Sequence, residues 1–393
     1  MLGKIVRDIL RPAPRQPAAA LESRQQPQQP MPVYFVGVGN GLFNTFFPRI
    51  WPMLGSLAAG AVSDRMAGNE IKGMGDFVVP VITLQQFGEA AGKQPVQLVH
   101  FCEDVDQYWG LEAFRQFPNV TVKDFLAIMF DLGVAHTYNT LREEQAWWEA
   151  HQDLTDQLAG YFNDDRSRAT LMARLNAIIG ADRHALVKAS FNNEFEYFNR
   201  TQPDASFIPG DHEIYVDIGA AHGDTVDKFV KLTGGRFEKI YAFEPTPAQF
   251  TQLNELVHND PRITALRAAV GDSPGKLTFY DNLDNPFGGN ALSGVGQAIE
   301  VDCVQLDDVV DRCTLIKMDV EGYECRVLRG AKRLISEHRP DLAVTCYHYP
   351  QDMSEILQLV NEIHPYRNIA LRHYSTSLYD SILLFSDRQS FKA

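Results

Sequence analysis

Three short stretches place side chains that can do chemistry directly after apolar runs. In "YVDIGAAHGDT", Asp217 is followed by a turn that contains Gly219 and Gly223. In "YAFEP", Glu244 closes a second run, and in "IKMDVEG", Asp319 closes a third. If these runs are parallel strands of one sheet, their carboxyl ends meet at one edge, where such sheets bind ligands. The spacing therefore predicts one site built from carboxylates and a glycine turn.

The residue types of this site are typical of nucleoside binding. Gly219 and Gly223 lack a Cβ, so a ligand can approach the backbone closely, and the helix that begins beyond them offers free N–H groups to an anion. Glu244 ends the second strand, where an acidic residue accepts hydrogen bonds from ribose hydroxyls in nucleoside-binding sheets.

Two details indicate which nucleoside binds. The glycines are spaced GxxxG rather than GxGxxG, and the carboxylate of Asp217 precedes them. A carboxylate at that point repels a pyrophosphate but attracts a ligand that carries an ammonium and a sulfonium group. These charges favour S-adenosylmethionine.

Candidate catalytic residues lie at the ends of two predicted strands, the fourth and fifth of the C-terminal part of the chain. They are Asp319, its neighbour Glu321, and His348, which ends "DLAVTCYH". A hydroxyl that accepts a methyl group gains from a base as it loses its proton, and a histidine near carboxylates is expected to titrate near neutrality. His373 in "LRHY" is a further candidate. The donor types would also suit a divalent metal, but spacing across separate strands does not establish a geometry, so no metal is predicted.

The elements that must position these residues fall into four stretches. Residues 1–30 are rich in Pro, Gln, Ala and Arg and are expected to be a tail or linker. Residues 31–140 alternate strand and helix patterns, which predicts a smaller N-terminal α/β Rossmann-like domain, and residues 141–210 have helical spacing and form a predicted connector. Residues 211–393 predict a seven-stranded doubly wound α/β sheet whose last two strands, joined without a helix, are antiparallel.

The C-terminal unit resembles a known family. Residues 211–385 are similar to the FkbM family of class I S-adenosylmethionine-dependent methyltransferases in "VDIGAAHGDT", "YAFEPTPAQF", "AAVGDSPGKLTFY", "IKMDVEGYECRVLRGA" and "RPDLAVTCYH". The resemblance implies a methyltransferase sheet with the extra N-terminal domain placed before it. It also implies a set of cofactor-binding residues: Asp217, Gly219, Ala220, Gly223, Thr225, Glu244, Pro245, Ala269 and Asp272.

The resemblance also implies what each part of this set does. The turn at residues 217–223 would hold the methionine part of the cofactor, with Thr225 near its carboxylate. Pro245 would pack beside the ribose, and Ala269 and Asp272 would flank the adenine. The aromatic Asn–Pro motif of base-modifying methyltransferases does not follow the fourth strand, because "DNPFGG" lies in an inserted hairpin. The "DVEG" found there favours an oxygen acceptor, and the family's activities favour a small hydroxylated acceptor such as a sugar, glycan or natural product.

Composition excludes several other classes of protein. The chain has 36 basic and 50 acidic side chains and a net charge of -14, which argues against nucleic acid as the main partner. Its 5 cysteines form no CxxC pair and are odd in number, which favours neither a zinc knuckle nor a disulfide framework. No apolar run is long enough to span a membrane. We therefore expect a cytoplasmic protein with no membrane partner, and the sequence sets no oligomeric state.

Three questions remain open at this point. "GVGNG", with Gly37, Gly39 and Gly41, and the later Asp64 are consistent with a nucleotide or nucleotide-sugar site, which would make the chain an oxidoreductase or sugar-modifying enzyme. The same turn is also consistent with a structural role, and the methyltransferase unit with a noncatalytic cofactor-binding protein. The aromatic and amide cluster "FNNEFEYFNR" is either core or a cover over the binding pocket.

Overall fold

The computed structural model describes residues 31–72, 78–281 and 297–391 of the chain. Contacts divide the chain into two compact units, and each unit is described below for the residues given above. The first unit comprises Met1–Gln152, Met172–Ala189 and Thr376–Leu378, and the second comprises Asp153–Leu171, Ser190–Ser375 and Tyr379–Ala393. The predicted tail and the "DNPFGG" stretch lie outside the described residues. The predicted connector contributes residues to both units.

The first unit contains a six-stranded sheet in the order β3-β4-β2-β1-β5-β6. Its strands are β1 (Val33–Val36), β2 (Ala58–Val62), β3 (Glu70–Lys72), β4 (Val78–Ile82), β5 (Val96–His100) and β6 (Val120–Asp124). Every pairing is parallel except that between β3 and β4. The short strand β3 was not predicted from the sequence. Its three residues are too few to show the alternation that marks a strand.

The helices of this unit lie between its strands and after β6. They are α1 (Gly41–Leu54), α2 (Leu84–Ala91), α3 (Val105–Gly110), α4 (Glu112–Arg115), α5 (Phe125–Leu132), α6 (Leu141–Ala150) and α9 (His184–Ala189). Local signals set their ends: Thr83 and Gln86 form a capping box at the start of α2, and Gly133, with φ 66°, ends α5 in the left-handed conformation. The helix α8 (Asp165–Gly180) contributes residues to both units.

The second unit is built on a seven-stranded sheet in the order β15-β16-β14-β13-β7-β8-β9. Its strands are β7 (Ile214–Ile218), β8 (Lys239–Phe243), β9 (Ile263–Leu266), β13 (Leu315–Met318), β14 (Asp341–Thr345), β15 (Asn368–His373) and β16 (Ser381–Ser386). Strand β16 runs antiparallel to both of its neighbours, and the other pairings are parallel. The predicted mixed α/β class is confirmed.

Strand order in this sheet reverses between β7 and β13. The chain runs outward from β7 through β8 to β9, and then returns to add β13 and β14 on the other side. Every residue of β7, β13 and β14 is buried. Continuous burial is expected of parallel strands that are covered on both faces. The crevice at the carboxyl ends of β7 and β13 is therefore the expected ligand position.

Helices and a second small sheet complete this unit. The helices are α7 (Leu154–Tyr161), α10 (Asp224–Thr233), α11 (Pro247–Val257), α12 (Leu306–Val309), α13 (Glu324–Gly330), α14 (Lys332–His338) and α15 (Asp352–Ile363). The small sheet has the order β10-β12-β11, with β10 (Ala269–Val270), β11 (Gly275–Asp281) and β12 (Gln297–Val304). Within residues 31–72, 78–281 and 297–391, no helix has the length and apolar character needed to cross a membrane.

A buried arginine joins distant segments of the second unit. Arg372 on β15 is fully buried, and its guanidinium lies 3.2 Å from a carboxylate oxygen of Asp164 and 2.8 Å from the hydroxyl of Ser167. It also donates to the main-chain oxygens of Asp204 and Phe391. A buried charge is tolerated when its hydrogen-bonding groups are satisfied in this way. This side chain therefore holds four separated segments together.

We expect Arg372→Ala to lower the free energy of unfolding by about 3–5 kcal/mol, because it removes the cation paired with the buried Asp164 carboxylate and the donor to two main-chain oxygens. Chemical denaturation followed by circular dichroism measures this. The exposed Arg329 on α13 provides the control, and Arg329→Ala should change stability by less than about 0.5 kcal/mol. Equal effects of the two substitutions would contradict the anchoring role.

Candidate functional site

A buried ion pair lies at the point where strand order reverses. Asp217 on β7 and Lys317 on β13 are register partners, and Lys317 Nζ lies 3.0 Å from Asp217 Oδ1. Both residues are almost completely buried. Burial opposes the charged lysine, but Asp217 and Asp319 outweigh it and raise the pKa of Lys317. The sequence predicted that the Asp217 carboxylate repels a pyrophosphate and attracts a sulfonium. Because Lys317 balances the charge of Asp217, this preference cannot come from Asp217 alone.

The same two side chains hold the turn that follows β7. Lys317 Nζ donates to the main-chain oxygen of Gly219 at 2.7 Å, and the hydroxyl of Thr225 donates to Asp217 Oδ2. Asp217 and Thr225, both predicted to bind cofactor, thus contact each other within the protein. Their arrangement shows how the turn is shaped, and their contact with a cofactor stays a prediction.

Gly219 is required by the backbone of the neighbouring strand. Its φ is 76°, and a Cβ built on it would lie 2.0 Å from the main-chain oxygen of Asp319. Sequence reasoning attributed this glycine to the approach of a ligand. The structure gives a different reason, because the turns after β7 and β13 themselves touch at this position.

The turn continues into helix α10 through Gly223. This residue has φ 94°, and a Cβ there would meet the side chains of Leu253 and Leu256. Gly223 is the N-cap of α10 and supplies no side-chain hydrogen bond to the helix. Ala220, within the turn, is buried. The first N–H groups of α10 are therefore not capped by the N-cap side chain, which suits them to bind an anion.

Glu244 connects the ends of β7 and β8. Its Oε1 accepts from the N–H of Thr246 at 2.8 Å, and its Oε2 accepts from the N–H of Ala221 at 3.0 Å. The carboxylate is 4% exposed, and burial raises its pKa. Pro245, which follows it, is half-buried. Glu244 thus stands beside the glycine turn, in the position predicted for a ribose ligand.

The two residues predicted to flank the adenine lie on the small sheet and just after it. Ala269 is buried in β10. Asp272 lies 3.4 Å from the guanidinium of Arg326 and accepts from the side chain of Gln305 through its main-chain oxygen at 2.6 Å. These contacts fix the segment against helix α13, where Arg326 lies.

Asp319 lies at the carboxyl end of β13 and receives donors from two other segments. The hydroxyl of Tyr197 donates to its Oδ2 at 3.3 Å, and the hydroxyl of Thr345 donates to its Oδ1 at 3.3 Å. The side chain remains 25% exposed. Asp319 is therefore held in orientation and still accessible, as a residue that contacts an acceptor must be.

His348 lies among three carboxylates. Its Nε2 is 3.5 Å from oxygens of Asp319 and of Glu321, and its Nδ1 is 3.3 Å from Glu324 Oε1. Burial favours the neutral ring, but Glu324, Glu321 and Asp319 outweigh it and raise the pKa of His348 to about 10. The expectation that this histidine titrates near neutrality is therefore wrong. An imidazolium surrounded by carboxylates is a fixed cation and not a base.

Glu324 is a site residue that sequence reasoning missed. It is buried at the start of α13, and its Oε1 accepts from the hydroxyl of Thr345 at 3.0 Å and from the N–H of Val320 at 3.2 Å. Although burial opposes ionisation, His348 lowers the pKa of Glu324. A carboxylate in the first turn of a helix that follows "DVEG" was the available signal, since such residues cap the preceding turn.

The same cluster contains donor types that a divalent cation takes. One ligand atom each from Asp319, Glu324 and His348 lies within 4.8 Å of the others. Ligands of one ion at the ordinary coordination distance of about 2.0–2.6 Å lie at most about 4–5 Å apart, so this spacing agrees with a shared cation but does not establish one. The sequence did not predict a metal, and nothing in the structure tests this.

The segment "FNNEFEYFNR" contributes to this site. Tyr197 is buried, its hydroxyl contacts Asp319, and its ring lies 5.5 Å from Lys317 Nζ. Phe198 belongs to the core of the unit and packs on Tyr215 with ring centroids 5.2 Å apart. The segment therefore serves as both core and site. His373, in contrast, is fully buried and its Nδ1 lies 2.9 Å from the hydroxyl of Ser381, so it belongs to the sheet interior.

Backbone strain is concentrated around the site. Among the residues that the structure describes, six non-glycine residues have a positive φ, and Tyr197, Ala221, Glu321 and Asp380 are four of them. Three of these four flank strand ends of the sheet, and Tyr197 contacts Asp319. Such conformations cost about 1–3 kcal/mol each and cluster at functional sites.

The N-terminal glycine turn is closed by the chain itself. Asn40 donates to the main-chain oxygen of Phe101 at 2.6 Å, and its Oδ1 accepts from the N–H of Phe43 at 2.8 Å. Glu103 accepts from the N–H of Leu42 at 2.9 Å, which covers the start of α1. A Cβ at Gly37 would lie 2.8 Å from the oxygen of Phe101, so this glycine serves the packing of β1 against β5.

Asp64, the acidic partner that the sequence suggested for this turn, caps the start of α2. Its carboxylate accepts from the N–H of Leu84 at 2.9 Å. Both acidic groups near the turn are therefore helix caps, and they favour the structural interpretation of "GVGNG" over the nucleotide interpretation.

Comparison with known proteins identifies the domain that carries the site. Residues 217–368 match the family model described as the methyltransferase FkbM domain. This match confirms, for these residues, the resemblance found in the sequence. Tyr197 and Asp380 lie outside the matched residues.

Two individual proteins are similar to the chain. The crystal structure of the methyltransferase FkbM from Methylobacillus flagellatus KT has a TM-score of 0.71 and 23% identity, and the match covers 91% of this chain and 90% of that chain. It shows a common fold. The hexuronic acid methyltransferase AglP of Haloferax volcanii is 25% identical over 129 residues, which are 31% of this chain and 53% of that protein. The chain thus spans about half the length of this relative.

The contact between Gly219 and Asp319 generates a prediction with a matched control. Gly219 and Gly235 have φ of 76° and 73°, but a Cβ at Gly235 would meet no atom within 4 Å. Alanine at either position carries the cost of the left-handed conformation, about 1–2 kcal/mol. Only Gly219→Ala also forces the turns after β7 and β13 apart, which should add about 1–3 kcal/mol. Thermal unfolding of both variants measures the difference, and equal losses would contradict the close approach.

The carboxylates around His348 generate a second prediction. We expect its two ring nitrogens to be protonated at neutral pH in ¹⁵N spectra. Since the pKa of His348 is about 10 when folded and about 6.5 when unfolded, the stability from this proton is complete below the unfolded pKa. It is lost as pH rises through the folded pKa. The stability lost in His348→Gln should therefore be largest at acidic pH and decline toward about pH 10, whereas His258→Gln, at an exposed position, should show no such trend. Titration of His348 near its ordinary pKa would contradict this assignment.

Proposed function

We propose that this chain is an S-adenosylmethionine-dependent O-methyltransferase that acts on a hydroxyl of a saccharide or a similar small polyhydroxylated molecule. The observation that carries the proposal is the match of residues 217–368 to the FkbM domain, with Glu244 and Asp319 at the ends of β8 and β13, the two strands that flank β7. The partly exposed carboxylates after β13, Asp319 and Glu321, would face the acceptor.

The residues at the glycine turn suit the cofactor. The N–H groups at the start of α10, left uncapped by Gly223, would hold the methionine carboxylate. Glu244 is a buried carboxylate whose pKa is raised by burial, and ribose hydroxyls would give it further donors. The segment that contains Ala269 and Asp272 would contact the adenine.

When bound, S-adenosylmethionine supplies a methyl group activated by a positively charged sulfur. The protein's task is to hold an acceptor hydroxyl in line with it and to take up the proton that the hydroxyl loses. Positioning of this kind accounts for about 7–11 kcal/mol of barrier reduction in well-oriented reactions. Most of the catalysis would therefore come from the rigidity of the turns after β7 and β13.

Asp319 is the group that would take up the proton. It is accessible at the end of β13, and Tyr197 and Thr345 fix its orientation. His348, held as an imidazolium, places a positive charge 3.5 Å from Asp319 Oδ1. Glu321, with 26% of its side chain exposed, would accept a hydrogen bond from a second hydroxyl of the acceptor.

The class of acceptor is supported by the relative whose name states its substrate. A hexuronic acid methyltransferase acts on a sugar acid, and a saccharide acceptor here would present several hydroxyls to the carboxylates after β13. An oxygen acceptor also agrees with the "DVEG" that follows β13, because the motif typical of base-modifying methyltransferases is not found at that position. We propose a monosaccharide or glycan acceptor on these grounds.

Binding of S-adenosylmethionine by the purified chain tests the proposal, measured by calorimetry and thermal shift beside NADH and NADPH. At a hundredfold excess over its dissociation constant, S-adenosylmethionine should stabilise the chain by about 2.7 kcal/mol. Glu244→Gln should weaken this binding, because the amide replaces one ribose acceptor by a donor. Asp319→Asn should bind the cofactor and lose transfer of labelled methyl to an acceptor.

Glu255→Gln, on the exposed face of α11, serves as the control and should behave as the unaltered protein. Binding of a dinucleotide without S-adenosylmethionine would reject the proposal in favour of the oxidoreductase alternative. Cofactor binding without methyl transfer to any of a panel of sugars, glycans and natural products would favour a noncatalytic binding protein.

A further inference from the structure

Two carboxylates outside the matched domain lie beside Asp319. Glu196 precedes residues 217–368 in the chain and Asp380 follows them. Neither belongs to the segment that matches the family model. Their positions add two ionisable groups to the acceptor side of the site.

Asp380 reaches the site because of strand direction. It directly precedes β16, which is antiparallel to β14, so the start of β16 lies at the carboxyl end of β14. There the N–H of Cys346 donates to the main-chain oxygen of Ser381 at 3.0 Å. The rings of Tyr347 and Tyr379 lie 5.7 Å apart on the same edge. Asp380 is half-buried with φ 59°, a conformation that its neighbours must impose.

Glu196 reaches the site through its neighbour in sequence. Tyr197, the next residue, donates its hydroxyl to Asp319, and the main-chain oxygen of Glu196 accepts from Lys228 Nζ at 2.7 Å. The side chain of Glu196 is half-buried. These contacts fix the segment beside Asp319, at the edge of the sheet that also carries Asp380.

The cations around this edge are already engaged. Lys317 contacts Asp217, Lys228 contacts the main chain of Glu196, and His348 lies among its three carboxylates. The groups described here comprise more carboxylates than cations. The carboxylates are Glu196, Asp217, Asp319, Glu321, Glu324 and Asp380, and the cations are Lys228, Lys317 and His348.

Burial and the neighbouring carboxylates raise the proton affinities of both groups. Burial, with Asp380 and Asp319, raises the pKa of Glu196 to about 8, and burial with Asp319 raises the pKa of Asp380 to about 7. Both carboxyls therefore hold a proton for much of the time at neutral pH. An ammonium group beside them would favour their ionised form and be attracted to it, whereas a carboxylate beside them would be repelled.

We propose, on the premise of the proposed function, that Glu196 and Asp380 are specificity-determining residues that select a saccharide acceptor carrying an ammonium group and reject one carrying a carboxylate. The acceptor class is then an amino sugar or an amine-substituted polyol. This acceptor class differs from the sugar acid that the name of the hexuronic acid methyltransferase states. The match to that protein covers 31% of this chain.

Binding of three matched sugars to the full chain saturated with S-adenosylhomocysteine tests this inference. The probes are the methyl glycosides of glucosamine, glucose and glucuronic acid, and calorimetry in the presence of EDTA gives their dissociation constants. We expect the amine to bind at least about tenfold more tightly than the neutral sugar, and the uronate to bind most weakly. Rates of methyl transfer, separated into kcat and KM, should show the same order in KM.

The double variant Glu196→Gln/Asp380→Asn removes the two ionisable carboxyl groups with little change in shape. Asparagine tolerates a positive φ, so the backbone at position 380 can be retained. We expect the preference for amine over uronate to fall by about tenfold or more, with binding of S-adenosylhomocysteine unchanged. Glu194→Gln, an exposed carboxylate on the same segment, provides the control and should keep the preference of the unaltered protein.

The outcomes separate this inference from the proposed function. Failure to bind S-adenosylhomocysteine would reject the proposed function itself. Cofactor binding together with tighter binding of the uronate, or a preference that the double variant leaves unchanged, would overturn the inference alone. Binding of none of the three sugars by the cofactor-bound protein would also overturn it. Uronate binding that appears only when a divalent cation replaces EDTA would show recognition through a metal, which contradicts selection by these two carboxylates.

Discussion

The buried pair of Asp217 and Lys317 is the interaction on which the site depends. The two side chains are register partners on the strands where sheet order reverses, and they are excluded from water. Removing either partner would leave an unpaired charge in the interior of the sheet, which is far more costly than losing a surface ion pair. Lys317 also donates to Gly219, so the pair fixes the turn after β7 as well as the strands themselves.

From this pair the two halves of the site extend in opposite directions. Toward β8, the turn brings Ala221 to Glu244 and opens helix α10, which forms the side suited to a nucleoside. Toward β14, the turn after β13 presents Asp319 to Tyr197 and His348. Gly219 lies so close to the main chain of Asp319 that a Cβ would not fit between them, which sets the separation of the two halves at this point. A methyl donor on one side and an acceptor on the other would therefore meet at a distance that the backbone sets.

Much of the fold was predictable because buried parallel strands are continuous apolar runs that end in polar residues. That pattern located β7, β8, β13 and β14 and placed Glu244 and Asp319 at one edge. The protonation of His348 was not predictable, because the carboxylates that determine it come from separate elements. The role of Lys317 could have been inferred, since a lysine within the apolar run "TLIKMD" requires a buried partner.

A crystal structure of the chain with S-adenosylhomocysteine shows whether the nucleoside lies between the turn after β7 and Asp319. We expect the ribose hydroxyls to donate to Glu244, the amino-acid carboxylate to meet the start of α10, and the sulfur to face Asp319. A nucleoside bound elsewhere, or one whose sulfur points away from Asp319, would contradict it.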